Sequence, residues 1–397
     1  MDLKQYESRT SRPIQAKVPD FQRHERLKHV LFSQQFNTGL LNHLARVATN
    51  IRALAKSRDG HIWLSQLLPH KRAMLYFTQA STRTFLSFTA ACQILGITCN
   101  EIRDPKVSSE YKGENPLDSV RMFSSYFDLI IMRSVIANFA ECCAYLMNDL
   151  ERSDQRSVPI ISGGAGTDQH PTQALLDMYT ILRTFEFTSP QDSSLRTRFA
   201  ELQSRYPSLT KGPADKTYCF CGDIGRGRTV RSLSVLLSLY ENVTMIFVAP
   251  DHDKLRLSGD LKQFLISRKV KVIETEDLRE VIGEADCLYM TRIQHEHDKP
   301  EDKTFFDELD MSRYTLTPEM VGRMRDYTPI MHPFPRNEEI PFEIDKDPRA
   351  MYFRQARNGM WIRAALIAYL FDMDGRIMSK HAEMFSDYQS YNEGVLA

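Results

Sequence analysis

AMLYFTQASTRTFLSF, residues 73–88, is the most informative segment of the chain. It begins with apolar residues that predict a buried strand, and from Phe85 onward it has the pattern of a helix. Between the two lie three hydroxyls and one guanidinium, those of Ser81, Thr82, Arg83 and Thr84. The first turn of a helix offers free N–H groups and the positive end of the helix dipole. This combination predicts an anion site suited to a phosphate, with a simple helix cap as the alternative.

Strands and helices alternate along the rest of the chain. The first set of predicted strands covers 73–78, 98–102, 128–133 and 158–162, and the second covers 217–221, 243–249, 270–274, 286–291 and 328–332. Such alternation is typical of parallel sheets with helices on both faces. The predicted fold class is therefore α/β, with two doubly wound parallel-sheet domains.

A length of 397 residues also favours two domains. The expected divisions are a first domain at 1–171 with a polar, loosely held extension at 1–26, a second domain at 172–350, and a C-terminal helical segment at 351–397. Helical apolar spacing covers 27–55, and residues 187–216 have the Ser, Pro, Lys and Asp content of a surface insertion.

Composition excludes several classes of partner. The formal net charge is zero, which removes the electrostatic case for a nucleic acid or an anionic membrane as a partner. Seven cysteines occur without a C-x-x-C pair, so no metal site is expected. The N-terminus has no apolar signal region, and no apolar run approaches membrane-spanning length. We therefore expect a cytoplasmic protein without a cofactor.

The predicted carboxyl ends of the strands hold the unusual residues. Ligands of open α/β sheets bind beyond these ends. Arginine occurs at most of them and histidine at two, and carboxylates are nearly absent. A cationic cleft within a neutral protein fits substrates with several negative charges. The glycine loop 222–227 is G-x-x-G-x-G rather than a dinucleotide pattern, and His295 with His297 lacks a third metal ligand.

In chain order, these motifs resemble those of the aspartate carbamoyltransferases, within the wider aspartate/ornithine transcarbamylase superfamily. The matching segments are Ser81-Thr82-Arg83-Thr84, Lys112-Gly113-Glu114, Arg133, His170-Pro171-Thr172-Gln173, Gly227-Arg228-Thr229-Val230, Tyr289-Met290-Thr291-Arg292-Ile293-Gln294, His332-Pro333-Phe334-Pro335-Arg336, Tyr352-Phe353-Arg354-Gln355-Ala356 and Asn358-Gly359-Met360. They extend over roughly residues 30–370. The resemblance implies a transferase of pyrimidine synthesis that converts carbamoyl phosphate and L-aspartate into N-carbamoyl-L-aspartate and phosphate.

The resemblance also implies a role for each site residue. The implied phosphate ligands are Ser81, Thr82, Arg83 and Thr84. The groups that would polarise the carbamoyl oxygen are Thr84, Arg133 and His170. The carbamoyl amine would be held by Gln173 and by backbone carbonyls near Pro333 and Phe334. The implied catalytic set is Arg83, Thr84, Lys112, Arg133 and His170.

Aspartate would be bound by a second set of residues. Arg228 would take its α-carboxylate, and Arg292 with Gln294 its side-chain carboxylate. Ser108 and Lys112, the latter also near aspartate, match residues that the family supplies from a neighbouring subunit. The resemblance therefore implies a homotrimer with shared sites, whereas a regulatory subunit stays an open question.

Further expectations follow from the resemblance. The C-terminal helix would pack back on the first domain, and the Phe334–Pro335 bond would be cis. Gln79 and His297 replace a Glu and an Arg that help to stabilise domain closure in the best-known members.

Two alternatives compete with this interpretation. A transcarbamylase for ornithine is disfavoured because Arg292 would repel a cationic side chain. A non-catalytic phosphate-binding homologue is disfavoured because Lys112, Arg133 and His170 are all present.

Overall fold

The computed structural model describes residues 3–104, 113–164, 169–186, 193–293 and 309–394. The chain divides into two compact units: unit 1 is Met1–Tyr179 with Arg357–Ala397, and unit 2 is Thr180–Ala356. Both divisions fall a few residues after the expected ones at 171/172 and 350/351, each within a continuous helix. Among the described helices, none combines the length and the apolar character that crossing a membrane requires.

Strands and helices alternate as the sequence indicates. The described strands are β1 (Gln22–Arg23), β2 (Arg26–Leu27), β3 (Arg72–Phe77), β4 (Thr98–Ile102), β5 (Leu129–Arg133), β6 (Ile160–Ser162), β7 (Thr217–Cys221), β8 (Thr244–Val248), β9 (Lys271–Thr275), β10 (Cys287–Met290) and β11 (Ile330–Met331). Every predicted strand is confirmed to within a few residues, whereas the short antiparallel pair β1-β2 was not predicted.

Helices lie between these strands. The described α-helices are α1 (Glu7–Thr10), α2 (Ile14–Lys17), α3 (Thr38–Leu54), α4 (Arg58–Ser65), α5 (Thr82–Ile94), α6 (Pro116–Tyr126), α7 (Phe139–Arg152), α8 (Pro171–Phe185), α9 (Ser193–Arg205), α10 (Arg228–Leu237), α11 (Gly259–Ser267), α12 (Leu278–Val281), α13 (Pro318–Arg323), α14 (Tyr352–Leu370) and α15 (Asp374–Gly394).

Unit 1 is built on a parallel sheet with the strand order β4-β3-β5-β6. The chain passes from β3 to β4 on one side and then to β5 on the other side of β3. The connections after β3 and β5 therefore leave in opposite directions, which opens a crevice at their carboxyl ends. Apolar residues of these strands, including Met74, Tyr76 and Ile130, form a core with Phe139 and Leu146 of α7.

Unit 2 repeats this plan with the parallel order β11-β10-β7-β8-β9. From β7 the chain adds β8 and β9 on one side, and it then adds β10 and β11 on the other. The crevice of this sheet therefore lies between β7 and β10. Buried Ile246, Leu288 and Met290 form part of its core with Tyr314 and Tyr352.

The N-terminal extension is not loosely held, so that expectation is wrong. Its short helices pack on α7, where the rings of Tyr6 and Tyr145 stack at 6.2 Å and Arg9 pairs with Asp149 at 2.9 Å. Lys17 and Glu141 form a buried ion pair at 2.9 Å. The polar composition misled the prediction because these charges are paired rather than solvated.

Other boundaries differ from expectation as well. The helix expected over 27–55 begins only at Thr38, because Val30 instead pairs with Ile161 beside β6 and Asn37 caps the helix start. The insertion at 187–216 contains α9. The C-terminal segment returns to unit 1, which confirms that expectation, and Asp374 at the start of α15 contacts His43 of α3 at 2.6 Å.

Candidate active site

The expected phosphate ligands lie in unit 1, where β3 leads into α5. Ser81 immediately precedes the helix in an extended conformation, and its side chain makes no capping hydrogen bond within the described part of the chain. This geometry disfavours the simple helix cap and leaves first-turn N–H groups available to an anion. Thr84 is buried, whereas Thr82 and Arg83 are exposed. Partial desolvation lowers the pKa of Arg83, and a bound anion would favour its charged form.

Arg133 lies beside this helix start. It is the last residue of β5, and the register pairs it with Phe77, the last residue of β3. Its Nη1 donates a hydrogen bond to the carbonyl of Gly163 at 3.2 Å, and its own carbonyl accepts from the N–H of Gln79 at 3.2 Å. These bonds join the carboxyl ends of β3, β5 and β6 and hold a guanidinium, only 9% exposed, at the crevice.

His170 and Gln173 are buried at the start of α8. The N–H of Gln173 donates to Nδ1 of His170 at 3.2 Å, so the proton of a neutral imidazole is on Nε2. Gly164 approaches this ring closely: its φ is +83°, and a Cβ there would lie 2.7 Å from Cδ2 of His170. His170 is therefore fixed as an Nε2–H donor in the same unit as Arg133 and Thr84.

The arginines expected to bind aspartate, Arg228 and Arg292, lie in unit 2, at the crevice between β7 and β10. Arg228 is the first residue of α10, and Arg292 follows β10; both are half-buried. The loop before Arg228 is fixed by Asp223, whose carboxylate accepts from the backbone N–H and the Nε of Arg226 at 3.1 and 2.9 Å. Two cationic side chains thus occupy neighbouring strand ends, as a dicarboxylate ligand requires.

The His332–Arg336 loop follows β11, and the expected cis Phe334–Pro335 bond is confirmed. Nδ1 of His332 accepts from the N–H of Phe334 at 2.8 Å, and Nε2 lies 2.9 Å from Glu339. Burial opposes ionisation of Glu339, but the hydrogen bonds from His332 and from the N–H of Asn337 outweigh it and lower the pKa of Glu339. These contacts fix the backbone of the loop that contains Pro333 and Phe334.

Five of the singled-out residues lie outside the described residues: Ser108, Lys112, Gln294, His295 and His297. Sequence reasoning also overlooked buried polar residues beside the site. Asp177 and Arg363 are 0% and 2% exposed, although both lie in otherwise apolar helical patterns. A charged residue in such a pattern was the available signal, and Asp177 comes one helical turn after Gln173.

Comparison with protein families gives two matches that together cover most of the chain. Residues 28–183 match the carbamoyl-P binding domain of aspartate/ornithine carbamoyltransferase. Residues 214–370 match the Asp/Orn binding domain of aspartate/ornithine carbamoyltransferase.

Individual relatives agree with these matches. A chloroplastic aspartate carbamoyltransferase of Oryza sativa is 34% identical, over 87% of this chain and 85% of its own. The catalytic subunit of aspartate carbamoyltransferase from Methanosarcina acetivorans is 35% identical, over 86% and 96%.

Solved structures of similar proteins share the fold. The catalytic subunit of M. jannaschii aspartate transcarbamoylase matches with a TM-score of 0.70 and 32% identity, over 87% of this chain and 98% of its own. Aspartate transcarbamoylase from Trypanosoma cruzi, in complex with carbamoyl phosphate and aspartate, matches with a TM-score of 0.69 and 28% identity, over 86% and 95%.

Proposed function

Because this chain belongs to the aspartate/ornithine carbamoyltransferase family, we propose which of its residues carry out the family's reaction on L-aspartate. The chain is a carbamoyltransferase that transfers the carbamoyl group of carbamoyl phosphate to aspartate and releases phosphate. The product is N-carbamoyl-L-aspartate, a precursor in pyrimidine synthesis. The observation that supports aspartate most directly is the pair Arg228 and Arg292 at adjacent strand ends, since it matches two carboxylates.

The phosphate of carbamoyl phosphate binds at the start of α5. The hydroxyls of Ser81, Thr82 and Thr84 donate to its oxygens together with the free N–H groups of the first turn, and Arg83 offsets its charge. The absence of a Ser81 capping bond within the described residues supports this assignment.

The carbamoyl oxygen faces Thr84, Arg133 and the Nε2–H of His170. Attack of the aspartate amine on the carbonyl carbon places negative charge on this oxygen. Donors fixed beforehand stabilise that charge more in the transition state than in the ground state. The hydrogen bond that holds the His170 tautomer supports its role as a donor rather than a base.

The carbamoyl amine and aspartate complete the assignment. Gln173 and the carbonyls of Pro333 and Phe334 accept from the amine. Arg228 binds the α-carboxylate. The residues assigned to the side-chain carboxylate and its surroundings are Arg292, Gln294 and Lys112.

No covalent nucleophile is required in this mechanism. A C–N bond forms, the bond between the carbamoyl carbon and the phosphate oxygen breaks, and the departing phosphate accepts the amine proton. Orientation of two bound anions by fixed cations is the main contribution, and good geometry lowers such barriers by about 7–11 kcal/mol.

We also propose a homotrimer in which Ser108 and Lys112 complete the site of a neighbouring subunit. β4 leads towards these residues and is an edge strand with Thr98, Asn100 and Glu101 exposed. Parallel sheets are normally covered on both faces, so a second subunit is a suitable cover. A cavity of about 460 Å³, lined by residues of α5 and β4, adjoins this strand.

A mixing experiment tests the shared site. Lys112→Ala and Arg228→Ala variants should each be inactive, and exchange of their subunits should restore up to about a quarter of the sites. Mass spectrometry would verify that mixed trimers have formed. If such trimers show no recovery of activity, the proposal is contradicted.

A cytoplasmic location is a further part of the proposal. The seven cysteines are free thiols, which supports a reducing compartment. Some relatives are chloroplastic by name, so fractionation of the native source with markers for both compartments is the test.

A bisubstrate analogue tests the function as a whole. The T. cruzi relative binds N-(phosphonacetyl)-L-aspartic acid, which joins a phosphonate to aspartate. We expect this compound to inhibit the present enzyme far more strongly than phosphonoacetate or aspartate alone, because it unites both sets of contacts. The matched control is the ornithine counterpart of the analogue. Stronger inhibition by that counterpart would contradict aspartate as the acceptor.

A further inference from the structure

The amide of Gln173 is held by a buried carboxylate. Its Nε2 donates to Oδ1 of Asp177 at 3.0 Å, and Asp177 is fully buried. A carboxylate accepts hydrogen bonds and cannot donate them, so the NH2 group of the amide must face Asp177. The carbonyl oxygen Oε1 is consequently the end of the amide left to face a ligand.

Arg363 places a buried positive charge within electrostatic reach of Asp177. This guanidinium on α14 is 2% exposed, and burial lowers its pKa to about 9 while the charge of Asp177 acts in the opposite direction. Within the described residues its Nε has no hydrogen-bond partner, and the negative charge of Asp177 partly offsets the cost of its burial. A nearby buried cation in turn favours the ionised form of a carboxyl group.

The position of Arg363 is itself fixed. Its Nη1 donates to Oγ of Ser87, which donates to the carbonyl of Thr84 at 3.1 Å. Its guanidinium lies 4.7 Å from the centre of the Phe88 ring. Gly359 leaves room for it, since a Cβ there would lie 2.9 Å from Nη1. Arg363 therefore links α14 to α5, the helix that begins at the phosphate residues, and its charge acts on Asp177 of α8.

We propose that Asp177, supported by Arg363, determines the preference for a carbamoyl over an acyl phosphate by fixing the Gln173 carbonyl towards the ligand. This inference rests on the proposed function, in which Gln173 faces the carbamoyl amine. Only an NH2 group can donate to that carbonyl; the methyl group of acetyl phosphate, which has nearly the same shape, cannot. Asp177 is thus a positioning residue that acts through Gln173.

The test compares dissociation constants for carbamoyl phosphate and acetyl phosphate by calorimetry. In Asp177→Asn, the new side-chain amide can donate a hydrogen bond to Gln173 and turn the Gln173 amide around. The NH2 group of Gln173 would then face the NH2 group of carbamoyl phosphate. We expect affinity for carbamoyl phosphate to fall about tenfold while affinity for acetyl phosphate is nearly unchanged. A purely structural role for Asp177 would weaken both ligands equally and overturn the inference, as would an unchanged ratio.

Two further variants make the experiment decisive. Asp374→Asn neutralises another buried aspartate of unit 1 that makes no contact with Gln173, and it should keep the wild-type ratio. The double variant Asp177→Asn with Arg363→Met removes both buried charges, so no uncompensated charge is left to disturb folding. It should lose the preference for carbamoyl phosphate over acetyl phosphate, as the single variant does. If wild-type protein does not bind carbamoyl phosphate, the proposed function fails. If it does and both Asp177 variants keep the preference, only this inference fails.

Discussion

Lys17→Met removes the cation that the N-terminal extension places against α7. The side chains of Lys17 and Glu141 are only 5% and 4% exposed, and Nζ and Oε1 are 2.9 Å apart. Lys17 Nζ also donates to the carbonyl of Thr10 at 2.9 Å. Methionine has a similar length and fills the same apolar space beside Phe32, but it leaves the Glu141 carboxylate buried without this cation.

The expected cost depends on pH. Removal of one partner from a buried ion pair costs about 3–5 kcal/mol. The loss of unfolding free energy has an upper limit, because the Glu141 carboxyl group can bind a proton instead of staying charged. Protonating an ordinary glutamate costs about 1.4 kcal/mol for each pH unit above its pKa of about 4.3. The upper limit is about 4 kcal/mol at pH 7 and about 1 kcal/mol at pH 5. The folded variant binds a proton more tightly than the unfolded chain, so its deficit grows as pH rises.

Urea unfolding at pH 5 and pH 7 measures this deficit. The two tryptophans, Trp63 and Trp361, both lie in unit 1, so their fluorescence reports on the unit that contains the pair. The control combines Lys17→Met with Glu141→Gln, which removes both charges and should recover most of the stability at pH 7. A deficit below about 1 kcal/mol at pH 7, or one equal at both pH values, would refute the reasoning.

The remaining predictions concern catalysis. Arg83→Ala should raise the carbamoyl phosphate KM severely, and near-normal kinetics would contradict its role at the phosphate. Arg292→Ala should raise the KM for aspartate more than that for carbamoyl phosphate, and Arg292→Lys should lose less; equal effects on both substrates would argue against the assignment. His170→Ala should lower kcat by about 100–1000-fold, as the loss of one donor to a developing oxyanion does; a change confined to KM would show that His170 only binds.

The strand ends were predictable because the apolar run of each strand gives way there to polar residues and then to the apolar spacing of a helix. Apolar runs mark β3, β5 and β10, and the first polar residues after each run are those at the crevices. The strand order was not predictable from these runs, since pairing is set by packing rather than by local sequence. The crevices between β3 and β5 and between β7 and β10 became evident only from that order.

Buried polar contacts were the other limit. Lys17, Asp177 and Arg363 are residue types usually found at the surface. Gln173, the partner of Asp177, is near in sequence, whereas the partners of Lys17 and Arg363 are distant. The partner of Lys17 is Glu141, which is 124 residues away. Sequence spacing cannot show a pair so far apart, so the extension was wrongly expected to be loose. The contact of Asp177 with Gln173 spans one helical turn, and it was overlooked although the spacing allows it.

Competition between two acceptors distinguishes an aspartate carbamoyltransferase from an ornithine carbamoyltransferase in a single experiment. Purified enzyme would be given [13C]carbamoyl phosphate with equal L-aspartate and L-ornithine, and the labelled products separated by mass. We expect N-carbamoyl-L-aspartate as the dominant product, because Arg292 attracts a carboxylate and repels an ammonium group. Labelled citrulline as the dominant product, or no transfer to either acceptor, would contradict it.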